Sequence, residues 1–222
     1  MVAFGPHPDD IEHTIGGSLI KWASAGKRIL LCHLTSGDAG TFGSGELRRS
    51  EALAAAKLIG AEAIFLKFED TNIRDTRAAR LALIQVVRKY KPQIILAPYY
   101  HFPTMHPDHD ATGHIARAIF RLSRFKGIDC GLPPHWPRYL FHYLLPPAIA
   151  PSFIIDISDV RERWLDMARC YASQLDNIQN YYNRILSFKQ THLYNHPTAD
   201  LVEAFYSDRP LDLTDVDLLR LI

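Results

Sequence analysis

Short apolar runs alternate with amphipathic stretches over the first two-thirds of the chain. Val2 to Phe4 reads as the end of a strand, cut short at the start of the sequence. Residues 15–25 read as a helix, and Gly26-Lys27 turns the chain into ILLCHL (29–34), a buried-type strand. ELRRSEALAAAKLIG (46–60) predicts a strong helix, apolar at Leu47, Ala54 and Leu58, with Gly60 as its stop. AIFLKF (63–68) is the next strand and ARLALIQVVRKY (79–90) the next helix, ended by Lys91-Pro92. QIILAP (93–98) follows as a strand, and a helix covers roughly 110–124.

Strands that are apolar along their whole length must be covered on both faces. The β-α-β-α alternation therefore predicts a mainly parallel sheet with helices on each side. Right-handed crossovers make this an α/β, Rossmann-like doubly wound fold. Beyond it, YLFHYLL (139–145) and FIIDIS (153–158) read as strands. Asp159 reads as an N-cap, with Glu162 completing a capping box, of a helix apolar at Val160, Trp164, Met167, Ala168, Tyr171 and Leu175. We expect a single domain over 1–222, with 1–125 as the Rossmann-like core and 126–222 completing it.

Composition narrows the function classes. A formal net charge of +1 gives no argument for nucleic acid or an anionic membrane as partner. Cys32, Cys130 and Cys170 are odd in number and form no CxxC, which argues against a disulfide scaffold and a cysteine zinc site. No leader pattern opens the chain, and no apolar run approaches the ~20 residues a bilayer requires. The expectation is a cytoplasmic protein.

In open parallel sheets, ligands bind beyond the carboxyl ends of strands where the strand order reverses. HPDD (7–10) follows the first strand directly, and the loop after QIILAP holds His101, His106, Asp108 and His109. With the order 3-2-1-4-5 the first and fourth strands are neighbours, and the two loops meet in one crevice. Adjacent aspartates repel each other unless a cation makes their charge welcome. His7, Asp10 and His109 supply the three nitrogen and oxygen ligands of a catalytic zinc site with one position open to water. Fe2+ suits the same two-histidine, one-carboxylate set. Asp9, beside the metal, is the natural general base. Cys32 and His33 read as core or sheet contacts, and His101 and His114 as ordinary loop and helix positions.

GPHPDDIEHTIGGSL, the R-x-x-E of Arg48 to Glu51, the acidic residue of KFEDTNI and the HPDH of 106–109 together resemble the zinc-dependent de-N-acetylases of the LmbE-like, or PIG-L, superfamily. PRYLFHY, PSFIIDISDV, YASQLDN and EAFYSDRP extend the likeness over nearly the whole chain. The segment from Tyr139 to Asn177 looks closest to the bacillithiol-biosynthesis branch, which deacetylates N-acetylglucosaminyl malate. The resemblance implies that His106 assists at the tetrahedral intermediate or leaving amine, and that Asp108 orients its ring. It also implies that Arg48 binds substrate and that Tyr194 supports the oxyanion, with Asp70 and His13 near the substrate. Relatives carry a glycine-containing segment before EAF where this chain has NHPTADLV. Gly16-Gly17 would bring the first helix close to the ligand loop.

The expected reaction is metal-assisted amide hydrolysis of an N-acetylglucosamine conjugate, a small-molecule substrate, by a homo-oligomer, trimeric or hexameric in keeping with relatives. The alternatives are another N-acetylglucosaminide, such as a chitin fragment, a glycolipid or a mycothiol-type precursor, and a non-catalytic zinc- or sugar-binding protein. A nucleotide-binding role fits poorly, since HPDD stands where a glycine-rich phosphate loop would, and its carboxylates repel a pyrophosphate.

Overall fold

The computed structural model describes residues 1–103, 105–174, 183, 185–187, 189–193, 196, 198–212 and 214. Strands β1 (Val2–Gly5), β2 (Leu30–His33), β3 (Glu62–Phe65), β4 (Ile94–Pro98) and β5 (Tyr139–Tyr143) form one sheet in the order β3-β2-β1-β4-β5. All four pairings are parallel, with Val2 opposite Leu30 and Ile95, and Ile94 opposite Tyr139. The fold is α/β, with a mainly parallel central sheet covered by helices on both sides, as the apolar strands predict. A separate antiparallel pair, β6 (Phe153–Asp156) and β7 (Val202–Phe205), is joined to β5 by a bridge between His142 and Tyr206.

Alternation along each strand divides the core into two layers. Ala3, Leu31, Ile94, Leu96 and Phe141 face one layer, covered by α1 (Asp10–Ser24), α2 (Gly45–Leu58) and α5 (Arg161–Arg169). Val2, Phe4, Leu30, Cys32, Ile95 and Ala97 face the other, under α3 (Arg77–Tyr90) and α4 (Pro107–Leu122). Each fully buried branched or aromatic side chain in these layers contributes ~1.5–3 kcal/mol of transfer free energy. Ser44 and Thr76 cap α2 and α3 by accepting from Leu47 N–H and Ala79 N–H.

Four local expectations are corrected. Helix α1 begins at Asp10, not at 15, and is broken at Ile15 (φ −129°, ψ 15°). The backbone donors freed by the break, Gly17 N–H and Ser18 N–H, are taken by the Glu203 carboxylate at 3.0 and 2.7 Å. Gly16 and Gly17 do not serve the ligand loop. A Cβ on Gly16 would lie 2.9 Å from Trp164 and one on Gly17 2.7 Å from Ile157, so they allow α1 to close on α5 and its entry turn.

The face of α2 assigned to the core is its outer one. Leu47, Ala54 and Leu58 are exposed, and Arg48, Glu51, Ala52, Ala55 and Ala56 are buried. Small alanines allow α2 a close approach that leucines would prevent. Asp159 is not a helix cap. Helix α5 starts from Val160 without a side-chain cap, and Asp159 pairs with Lys21 at 2.7 Å. Val160, Trp164, Met167, Ala168 and Tyr171 are buried as expected, whereas Leu175 lies outside the described residues. Among the described residues, no helix is long and apolar enough to cross a membrane.

Candidate metal centre and active site

The order of the sheet reverses between β1 and β4, and both histidine-aspartate loops leave from that point. The β1 loop runs straight into α1. On the other side α4 starts at Pro107, with His106 as N-cap accepting from Asp108 N–H at 3.2 Å. Gly113 lets α4 sit against the end of β4, since a Cβ there would lie 2.6 Å from the Pro98 carbonyl oxygen. His109, one helical turn earlier, reaches across to the β1 loop.

Asp10 lies between two imidazoles. Its Oδ2 is 3.1 Å from His7 Nδ1 and its Oδ1 is 2.8 Å from His109 Nε2. The three side chains offer one donor atom each, all within 4.8 Å of one another. Two neutral imidazoles and a carboxylate at that spacing suit zinc or ferrous iron. His7, His106 and Asp108 meet the same spacing. However, Asp108 is already committed, accepting from Thr71 N–H at 2.9 Å and Ile73 N–H at 3.2 Å.

The ring of His7 is held from behind. Its Nε2 lies 3.0 Å from Asp70 Oδ1 and 3.3 Å from Asp108 Oδ2, and Asp70 is itself fixed by Ala39 N–H at 2.8 Å. A carboxylate on the far nitrogen of a ligand imidazole fixes its orientation and strengthens it as a donor. Burial opposes charge on His7, but its bonds to Asp10, Asp108 and Asp70 together raise its pKa to about 12. Three carboxylates around one ring make the pocket receptive to positive charge. Burial likewise opposes charge on Asp10, yet His109 and His7 hold it well below the ordinary carboxylate range.

Asp9 differs from its neighbour. Its backbone sits at φ 106°, outside what non-glycine residues ordinarily adopt, a strain of ~1–3 kcal/mol that the surroundings must enforce. Arg48 supplies that constraint. Its guanidinium donates to the Pro8 carbonyl at 2.7 Å and the Gly37 carbonyl at 2.8 Å, and lies 3.3 Å from Asp9 Oδ2. Burial and the charge of Asp10 push Asp9 up to about 7, against the pull of Arg48 and His7. The two adjacent aspartates are thereby driven apart, Asp10 downward and Asp9 upward.

Of the other residues named by the resemblance, all but Tyr194 lie around these two loops. Arg48 is buried, with its guanidinium against the Pro8 and Gly37 carbonyls and the Asp9 carboxylate. Its helix neighbour Glu51 goes instead to Ser173 N–H and Oγ, both at 2.7 Å. Asp70 faces His7 and the Ala39 N–H. The Asp108 carboxylate faces His7 and the Thr71–Ile73 backbone; His106 is oriented by the Asp108 N–H. His106 is exposed at the mouth, 4.9 Å between ring centroids from His7, and burial and His7 lower its pKa. His13 lies beside Asp9, its Nδ1 3.9 Å from Asp9 Oδ2 and its ring against Tyr171. Tyr194 lies outside the described residues.

Beneath the loop, sequence reasoning missed a buried polar floor. His33 Nδ1 lies 3.2 Å from the His7 carbonyl oxygen and Nε2 lies 3.5 Å from Glu12 Oε1, both side chains being fully buried. Against the effect of burial, the pair's mutual attraction raises His33 and lowers Glu12. Thr35 Oγ1 donates to the Pro6 carbonyl at 2.9 Å. The available signal was a histidine in a strand otherwise wholly apolar, since a buried imidazole needs a partner.

Residues 2–120 match the family described as PIG-L, GlcNAc-PI de-N-acetylase. Diacetylchitobiose deacetylase of Thermococcus kodakarensis is 33% identical over 189 residues, 78% of this chain and 69% of its own. 4-Oxalmesaconate hydratase of Pseudomonas putida is 25% identical over 81% of this chain and 75% of its own. Among solved structures, N,N'-diacetylchitobiose deacetylase of Pyrococcus horikoshii with its inhibitor MPG superposes at a TM-score of 0.84. It is 26% identical and covers 92% of this chain and 81% of its own.

Proposed function

The chain belongs to the PIG-L family, that of the GlcNAc-PI de-N-acetylases, and on that premise we propose that it hydrolyses the acetamide of a short N-acetylglucosamine oligomer of the chitin-fragment class. The two diacetylchitobiose deacetylases support this class over the malate conjugate expected from the segment 139–177. The observation that carries the hydrolase reading is the pairing of His7, Asp10 and His109 with a separately constrained Asp9.

His7, Asp10 and His109 would hold a divalent metal, which when bound would supply Lewis acidity and lower the pKa of water. Asp9, partly buried and raised to about 7, takes the proton from an attacking water as that water's oxygen bonds to the acyl carbon. The C–N bond then breaks, and the proton passes to the departing nitrogen. Acetate and a free amino sugar result. His106 accepts at Nδ1 from the Asp108 N–H, which leaves its proton on Nε2. A neutral imidazole in that tautomer donates to the oxygen on which charge develops. Asp70 and Asp108 keep His7 from rotating, and Arg48 keeps Asp9 in its strained position.

The test is acetate release by the zinc- or iron-loaded protein from N,N'-diacetylchitobiose, N-acetylglucosamine and N-acetylglucosaminyl malate. Turnover on the disaccharide exceeding that on the malate conjugate is expected. The opposite order restores the malate reading. The similarity to the hydratase makes one further control decisive: hydration of 4-oxalmesaconate without any acetate release overturns the amide-hydrolase function.

A further inference from the structure

A buried ion pair takes no part in the chemistry above. Lys189, from the segment beyond α5, pairs with Glu203 of β7, and both side chains are almost wholly enclosed. The Glu203 carboxylate accepts from Gly17 N–H and Ser18 N–H, while the Lys189 ammonium donates to that carboxylate and to the Thr14 carbonyl. In an unbroken helix Ser18 N–H would bond that same Thr14 carbonyl, four residues back. The pair therefore stands inside one broken helical hydrogen bond and joins its donor to its acceptor through two side chains. Trp164 of α5 serves the same break, its Nε1 donating to the Glu12 carbonyl at 3.1 Å.

The break divides α1 into parts with different duties. Past it, Gly16 and Gly17 pack on α5 and its entry turn. Before it, the turn from Asp10 to Thr14 follows Asp9 directly and carries Asp10, which reaches His7 and His109, and His13 beside Asp9. A buried Lys–Glu pair is a costly way to hold a fold together. Two charges lose their water, and apolar side chains of similar volume commonly give equal or greater stability. What the pair supplies is direction, because hydrogen bonds fix an angle and apolar contacts do not.

We propose that Lys189 and Glu203 are positioning residues of the metal centre: they set the angle of the Asp10–Thr14 turn against the rest of α1, and with it the place of Asp10 between His7 and His109. This rests on the reading of those three residues as metal ligands. Without the pair, Gly17 N–H and Ser18 N–H are free to return to the His13 and Thr14 carbonyls. Helix α1 then straightens, and Asp10 leaves its place between the two imidazoles.

The experiment compares the parent with the double variant Lys189→Met, Glu203→Leu, in which both charges leave together and neither is stranded. Zinc affinity is read by calorimetry, stability by thermal melts with and without zinc, and turnover as kcat and KM for acetate release from N,N'-diacetylchitobiose. Zinc-free melting close to the parent's is expected, with zinc bound about tenfold more weakly or worse. The rise in Tm on adding zinc should shrink, and kcat should fall more than KM changes. Zinc affinity equal to the parent's overturns the positioning role and leaves the metal centre intact. Glu203→Asp keeps the ion pair but is one methylene short of spanning both N–H groups; it carries the test, with the same two outcomes, if the double variant does not fold. Arg88→Met, buried in the opposite layer, is the control, expected to melt lower with zinc affinity unaltered; a loss of zinc affinity matching the double variant's reduces the effect to stability and overturns the role. If the parent binds neither zinc nor iron, the metal-centre reading fails and the positioning role falls with it.

Discussion

Arg48 and Arg88 are both buried, at 5% and 2% exposure, on helices in opposite layers of the sheet. Arg88, on α3, donates to the carbonyls of Ser123, Phe125, Ile128 and Leu132 at 2.7–3.0 Å. It ties the long connection after α4 to the core. Arg48, on α2, also binds two carbonyls, but the third group at its fork is the Asp9 carboxylate. The first arginine shapes a loop whose residues carry no proposed chemistry. The second shapes a loop and biases the charge of a group within it. Burial alone therefore does not separate a structural cation from one that serves a site; the nature of its acceptors does.

The comparison can be broken at the acceptor first. Asp9→Asn should keep metal content and melting temperature close to the parent while kcat falls by ~10³-fold, in line with loss of a general base. Metal analysis with an acetate-release assay checks this, and retained turnover removes Asp9 as the base. Arg88→Met should do the reverse. Leaving several buried carbonyls without a donor costs ~3 kcal/mol of stability, a fall of ~6–12 °C in Tm for a chain this size. Activity per folded molecule should hold, as read by thermal melts beside specific activity.

Arg48→Lys sharpens the contrast. A lysine keeps the charge but cannot bridge Pro8, Gly37 and Asp9 from one planar fork. We expect kcat to drop ~10–100-fold with the metal affinity little altered; an unchanged kcat assigns Arg48 to folding alone. At the small end, the ion pair of Asp159 with Lys21 is 65% exposed on the aspartate side and is neither capping nor catalytic. Asp159→Ala should change stability by no more than ~0.5 kcal/mol in a denaturant titration. A loss near 1 kcal/mol would reinstate the capping role that the sequence suggested.

Much of the fold was legible because its signals are local. Continuous apolar strands separated by helical periods imply a parallel sheet, and the order β3-β2-β1-β4-β5 followed from common topology. The ligand candidates were legible for a related reason, since HPDD and HPDH both sit where strands end and neither needs a distant partner to be noticed. The supports were not. Asp70 and Asp108 stood out as motif positions, but that they reach His7 from 63 and 101 residues away carries no local signal. The orientation of α2 was hidden too, because its alanines pack closely while its leucines remain outside.

Local periodicity and chain direction suffice to specify strands, helices and the places where loops leave a sheet. The sequence by itself therefore determined the architecture and which histidines and aspartates the two loops carry to the point where the strand order reverses. Which acid is driven toward neutrality, which arginine serves it, what holds His7 and what spans the break in α1 were decided only in three dimensions. These depend on distances between segments remote along the chain, and on burial, which turns weak aqueous electrostatics into shifts of several pKa units.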